Sequence, residues 1–138
     1  MTAAPLLLDT CALIWTFSGV ELDADVQAAI AESAESGTLH LSPISAWEIG
    51  MLVAKERLAL SIPVQDWIDR AFSNPGIRTA PTSPAVFAAA SFLPGSLHGD
   101  PADRILIATA RANGLTLVTR DGRILSYAQK GHLAALPC

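Results

Sequence analysis

Pro5 to Leu8 is apolar at every position and stops abruptly at Asp9-Thr10. A strand that alternates apolar and polar residues can leave one face in water, but a run apolar on both faces has to be covered on both. Such a run belongs inside a sheet sandwiched between helices, where strands run parallel and helices make the crossovers. Leu115 to Thr119, with the sequence LTLVT, is a second run of this kind, and it too is followed by an aspartate, Asp121.

The remaining punctuation agrees with alternating strands and helices. Helices are expected over Cys11 to Phe17 and over Asp25 to Glu35, the latter stopped by Gly37, with a short strand at Thr38 to Leu41. Ser42-Pro43 supplies an N-cap and a first-turn proline for a helix running to about Arg57. Another helix begins near Pro63, with Trp67, Ile68 and Phe72 at core spacing; Asn74-Pro75-Gly76 breaks it before a brief strand at Ile77 to Ala80. Ser83-Pro84 opens a helix to about Phe92, and Leu93 to Gly99 reads as a loop. Asp100-Pro101 opens a helix that Asn113-Gly114 ends, and Asp121-Gly122 turns the chain into a short final element. The reading is an α/β fold with a mainly parallel sheet, in one domain spanning 1–138, without repeats or linkers.

Composition narrows the function classes. Hydrophobic residues make up 51% and charged residues only 16% of the 138, which excludes a disordered chain. The net charge of −4 supplies no global basic field to attract nucleic acid, although acids that hold metal ions reverse the local sign. Five of the nine basic residues lie after Ala102. Cys11 and Cys138 lack metal-type spacing and suit a reducing compartment. Met1 to Leu8 has no basic residue and does not read as a secretory signal, and there is no membrane-length apolar stretch, so a cytoplasmic protein is expected.

Most of the thirteen acidic residues fall on polar faces or at helix entrances, where solvation explains them. Five do not. Asp9 and Asp121 each follow a buried strand, and in an open α/β sheet such positions face the crevice that binds ligands. A helix N-cap accounts for Asp9 as well, and an Asp-Gly turn for Asp121. Glu48 has Ile44, Ser45, Met51 and Leu52 as its helical neighbours, none basic, and Trp47 beside it. With Ile44, Met51 and Leu52 turned toward a core, its carboxylate would be expensive unless a cation met it. Asp100 and Asp103 stand at the N-cap and third position of one helix, and capping explains Asp100 better than Asp103. Hard carboxylate ligands without a histidine or cysteine shell suit Mg²⁺ or Mn²⁺. His40, His98 and His132 are scattered and read as surface or loop histidines.

Four segments together resemble the PIN-domain ribonucleases, and more closely the VapC-like toxins of toxin–antitoxin pairs: LLLDTCALIW, SPISAWEIGMLVAKERL, HGDPADRILIATA and LTLVTRDGRI. They occur in the family's order over almost the whole chain. The resemblance implies a three-layer PIN-like domain and an acidic quartet at Asp9, Glu48, Asp103 and Asp121 that holds Mg²⁺ or Mn²⁺ and cuts RNA. It implies supporting roles for Asp100, Thr10 and Thr119, a homodimer, and a cognate antitoxin as partner. Arg104, Arg120 and Arg123, near these acids in sequence, are candidates for RNA phosphate contacts. Two rivals are weighed. An aspartyl-phosphate phosphatase wants a second aspartate two positions after the first, where this chain has Cys11. A non-catalytic α/β interaction domain would need the acids only as caps and turns.

Overall fold

The computed structural model describes residues 4–138. The reading of Met1 to Leu8 as no leader rests partly on residues 1–3, which lie outside the described residues. Five strands form one sheet: β1 (Leu6–Leu8), β2 (Leu39–Leu41), β3 (Ile77–Thr79), β4 (Thr116–Thr119) and β5 (Ala135–Pro137), in the order β3-β2-β1-β4-β5. All four pairings are parallel, with Leu7 opposite His40 on one side and Leu117 on the other.

Seven helices flank the sheet: α1 (Thr10–Ser18), α2 (Ala24–Glu35), α3 (Pro43–Ala54), α4 (Val64–Phe72), α5 (Pro84–Ala89), α6 (Pro101–Asn113) and α7 (Gly122–Gln129). Side chains alternate across a strand, and so the apolar run of β1 feeds two cores. Leu6 and Leu8 join Leu41, Val118, Leu13, Val26 and Trp67 on one face, whereas Leu7 joins Leu117, Leu106, Ile107, Ile124 and Tyr127 on the other. This is the three-layer arrangement expected, and β1 lies at its centre. Leu7 and Leu8 are wholly buried, each worth about 1.5–3 kcal/mol of apolar burial.

Three boundaries differ from the sequence reading. The third helix stops at Ala54, not near Arg57, because Glu56 takes a left-handed conformation (φ 58°), with Glu56 N–H bonding the Val53 carbonyl and Arg57 N–H that of Leu52. That pair of bonds closes a helix end and forbids a further turn. Helix α5 ends at Ala89, beyond which Ser91 and Phe92 bond back three residues in turns, and Phe92 is 87% exposed, with no packing to extend the helix. The final element is a helix followed by an edge strand, β5. The run ALP carries no β-branched residue, and its proline is tolerated only at an edge. No helix among the described residues is long and apolar enough to cross a membrane.

Candidate active site

The sheet order reverses between β1 and β4, which is where an open parallel sheet leaves a crevice beyond its carboxyl ends. Asp9 follows β1 directly, and Asp121 comes two residues after β4. Asp9 is 7% exposed; its Oδ1 accepts from the Ala12 amide at 2.8 Å and caps α1. Thr119, fully buried, stands beside both acids: its hydroxyl accepts from the Asp121 amide at 3.1 Å, and it lies near enough to Asp9 to oppose the rise that burial causes there. Asp121 in turn caps α7, Oδ1 accepting from Arg123 N–H at 2.8 Å and Ile124 N–H at 3.2 Å.

Glu48 comes from α3. The helix buries Ser45 and Ile49; of the stripe that the sequence suggested, Ile44 packs partly against the core, whereas Met51 and Leu52 line a surface groove and Trp47 is 55% exposed. Glu48 lies half-buried beside the buried face, where Thr10 Oγ1 donates to its Oε1. Because that proton is spent on Glu48, the 2.9 Å contact between Thr10 and Ser45 leaves Ser45 as the donor. Thr10 thus holds Glu48 by its hydroxyl, and Thr119 holds the backbone of Asp121.

Asp103 and Asp100 come from the start of α6. Asp100 is exposed and does what its position suggests, its Oδ1 accepting from the Asp103 amide at 3.0 Å. Asp103 turns away from that cap, and its Oδ2 lies 2.8 Å from His98 Nε2. His98 is therefore no surface histidine; its side chain is 12% exposed and belongs to the acid cluster. The sequence signal was faint: a histidine in a glycine-containing loop immediately before an Asp-Pro helix start, within reach of the first turn. His40 bonds the Thr38 and Leu6 carbonyls, and His132 stacks on Tyr127 at 4.9 Å.

The electrostatics separate the four acids. Burial raises Asp9 above the ordinary carboxylate range, and Asp103 and Asp121 push it further against the hydrogen bonds from Thr119 and Ala12. Burial likewise raises Glu48, with Asp103, Asp100 and Asp9 adding to it, and Asp103, with Asp100 and Asp121 adding to it. Asp121 goes the other way. Burial would lift it, but the Ile124 and Arg123 amides and the Arg123 guanidinium outweigh that and lower it. The collected negative charge is felt by Cys11, whose thiol burial, Asp9, Glu48 and Asp103 push up to about 11. The four acids therefore converge in one field. Even so, among the described residues no three metal-ligating side chains are gathered tightly enough to hold an ion as they stand.

The arginines are placed differently from one another. Arg104, expected near phosphate, spends its guanidinium on the carbonyls of Ala90, Leu97 and His98. Arg120 donates to the Cys138 carbonyl at 2.7 Å and lies 4.1 Å over the Trp15 ring. Arg123 is 64% exposed, 3.6 Å from Asp121. Two clefts adjoin the acids: one of about 550 Å³ beside His98, Asp121 and Arg123, and one of about 340 Å³ beside Glu48, Trp47, Lys55 and Arg57.

The PIN domain model matches residues 6–130. Ribonuclease VapC22 of Mycobacterium tuberculosis (strain ATCC 25618 / H37Rv) is 37% identical over 123 residues, covering 88% of this chain and 91% of the relative. Among solved structures, VapBC2 from Rickettsia felis bound to a promoter DNA fragment superposes with a TM-score of 0.69 at 17% identity, over 96% of this chain and 97% of that one. DNA-bound VapBC from Salmonella typhimurium gives 0.63 at 17% identity, over 97% and 98%. The structural likeness shows the fold, and the family match and the curated relative carry the assignment further: the chain belongs to the PIN-domain family, in its VapC-like group.

Proposed function

We propose that this protein is a divalent-metal-dependent ribonuclease, the toxin of a toxin–antitoxin pair, whose metal is held by Asp9, Glu48, Asp103 and Asp121. The observation that carries the reading is that Asp9, Glu48 and Asp103, from three different elements, are each raised by burial, with Asp103 adding to the rise at Asp9 and at Glu48, and Asp100 and Asp121 adding to that at Asp103. Among the described residues neither Asp9 nor Glu48 has a lysine or arginine within ion-pair reach. Uncompensated charges of this kind are costly, and a cation removes the cost. The donor set fits Mg²⁺ or Mn²⁺. It is all hard oxygen, and each carboxylate, with about four lone-pair sites, has spent only one or two on protein donors. Among the described residues the acids are not gathered tightly enough to hold one ion as they stand, so binding would require their side chains to draw together.

A bound Mg²⁺ or Mn²⁺ would polarise the scissile phosphate and bring water nearer to hydroxide at neutral pH. Asp9 and Asp103 would be the principal ligands, their carboxylates oriented by the Ala12 amide and by His98, and Asp121 would bind directly or through water. Glu48, half-buried and steadied by Thr10, would orient or deprotonate the attacking water, whose oxygen would bond to phosphorus in line with the P–O bond that breaks, the leaving oxygen taking a proton from solvent. Arg123, the exposed arginine at the edge of the larger cleft, contacts RNA phosphate, whereas Arg104 and Arg120 are occupied elsewhere. Asp100 supports the site by capping α6.

The relative named as a ribonuclease supports RNA as substrate, and the VapBC likenesses support an antitoxin partner. A homodimer and a cytoplasmic setting complete the reading, the latter suited to two free cysteines. A second reading has its own support: Asp9, Asp100 and Asp121 do cap helices. An interaction domain with capping acids would bind no metal and cut no RNA. The test is cleavage of single-stranded RNA by the purified chain with Mg²⁺ and with chelator. Cleavage indifferent to chelation rejects the metal-dependent mechanism, and cleavage absent with both Mg²⁺ and Mn²⁺ rejects the nuclease reading.

A further inference from the structure

The segment before α6 is tied to that helix from two sides. Asp103 takes the His98 ring, with Nε2 2.8 Å from Oδ2. Its neighbour Arg104 takes the backbone that carries the ring: Nη1 donates to the His98 carbonyl at 3.3 Å and the Leu97 carbonyl at 3.4 Å, while Nε donates to the Ala90 carbonyl at 2.8 Å. A carboxylate can only accept, so Nε2 carries the hydrogen in this contact. Nδ1 is buried and meets no hydrogen-bond partner among the described residues, so the ring's polar anchor is Asp103.

An aspartate carboxylate turns through a broad torsional well about its last side-chain bond, and a ligand that must meet a cation at one angle gains from a donor that fixes its plane. We propose that His98 is a positioning residue for the metal centre, its Nε2–H setting the plane of the Asp103 carboxylate, with Arg104 setting His98 by gripping the loop. This assigns Arg104 a task at the site other than phosphate contact. It also explains why a histidine sits among acids in a cluster otherwise made of oxygen donors. The inference rests on the reading of Asp103 as a metal ligand.

The experiment is Mn²⁺ binding to the full-length chain, followed by the loss of free-ion signal in electron paramagnetic resonance, with the metal-free melting temperature recorded for each variant. His98→Ala is expected to weaken Mn²⁺ binding by roughly 10–100-fold, the usual effect of removing an outer-shell partner. His98→Gln, which can place an amide N–H where Nε2 lies, is expected to recover most of that loss, which a merely structural role would not require. Arg104→Lys, keeping the charge but not the fork of donors, is expected to fall between wild type and His98→Ala. Should His98→Ala melt too low to assay, the other two variants still decide. Unchanged Mn²⁺ affinity in His98→Ala or Arg104→Lys overturns the inference, as does a glutamine variant no better than alanine. A wild-type chain that binds no Mn²⁺ overturns the metal-centre reading itself and this inference with it.

Discussion

At the end of β1 and again at the end of β4 the chain does the same thing: a buried strand stops, and an aspartate caps the helix that follows. The two aspartates both lie beside Thr119 and still differ in sign of perturbation, Asp9 raised and Asp121 lowered. Both cap a helix, but Asp121 accepts from two amides and Asp9 from one, and only at Asp9 does burial outweigh the cap. β1 is the middle strand of five and β4 lies one from the edge, which leaves Asp9 7% exposed and the Asp121 side chain 30% exposed, beside an arginine. Local recipe decides where a carboxylate stands; depth and neighbours decide what it can do.

The largest expected effect comes from breaking the deeper member. Asp9→Asn keeps an oxygen for the Ala12 amide and discards the charge. RNA cleavage in Mg²⁺ is expected to fall on the order of 10²–10³-fold, the scale of losing one preorganised electrostatic group. The metal-free variant is expected to melt at or above the wild-type temperature, since a costly buried charge is gone. Undiminished initial rates would sink the catalytic role of Asp9, and a lower metal-free melting temperature would sink the claim that its charge is uncompensated.

Next in size is the metal itself. At a Mg²⁺ concentration one hundred times Kd, linkage stabilises the wild type by about 2.7 kcal/mol. The increment is expected to be largely lost in Asp9→Asn and partly retained in Asp121→Asn, measured as melting temperature at constant ionic strength. Equal increments in all three proteins would mean that the ion binds elsewhere.

A third expectation concerns pH in the absence of metal. Folded Asp9, Glu48 and Asp103 are raised, so they bind protons more tightly folded than unfolded. Their penalty is full above the folded pKa values and is relieved as pH falls through them toward the ordinary values of 3.8 and 4.5. Asp121 is lowered, so its contribution is present above the ordinary value and is lost only as pH falls through its depressed one. Stability is therefore expected to rise on mild acidification from neutrality, with no group adding more than about 1.4 kcal/mol per pH unit. Chemical denaturation across that window should show the slope clearly flattened in Asp9→Asn and only slightly reduced in Asp121→Asn, whose charge adds the smallest contribution to the rise at Asp9 and Asp103. A wild-type profile that only falls on acidification contradicts the raised acids.

The fold was legible because its strongest signals were local. Two fully apolar strands dictated burial on both faces, and Ser42-Pro43, Ser83-Pro84 and Asp100-Pro101 marked helix starts that the structure places at those residues. β5 was not legible, since an edge strand of three residues is held by its pairing with β4 and not by its own pattern. Within the candidate site, strand ends placed Asp9 and Asp121, but the burial of Glu48 was misattributed: helical spacing alone could not say that Trp47 faces out and Ser45 in. Nor could spacing reveal that Arg104 and His98 answer to each other across a loop, because that contact depends on how the segment folds back over α6.

The smallest expected effect isolates the capping that the two aspartates have in common. Asp121→Ala removes the acceptor for the Arg123 and Ile124 amides and is expected to cost about 1 kcal/mol of stability, the usual worth of an N-cap. Asp121→Asn can still accept from both amides, so its cost should be a few tenths of a kcal/mol, while its cleavage rate and Mg²⁺ increment should both drop. The pair of substitutions thus separates the cap from the charge at one residue. If alanine and asparagine are equally destabilising, the stability of α7 depends on the Arg123 ion pair and not on the cap, and the parallel between the two strand ends breaks down. If asparagine is neutral in both stability and cleavage, Asp121 is a cap and nothing more, and the metal rests on the three acids that burial has raised.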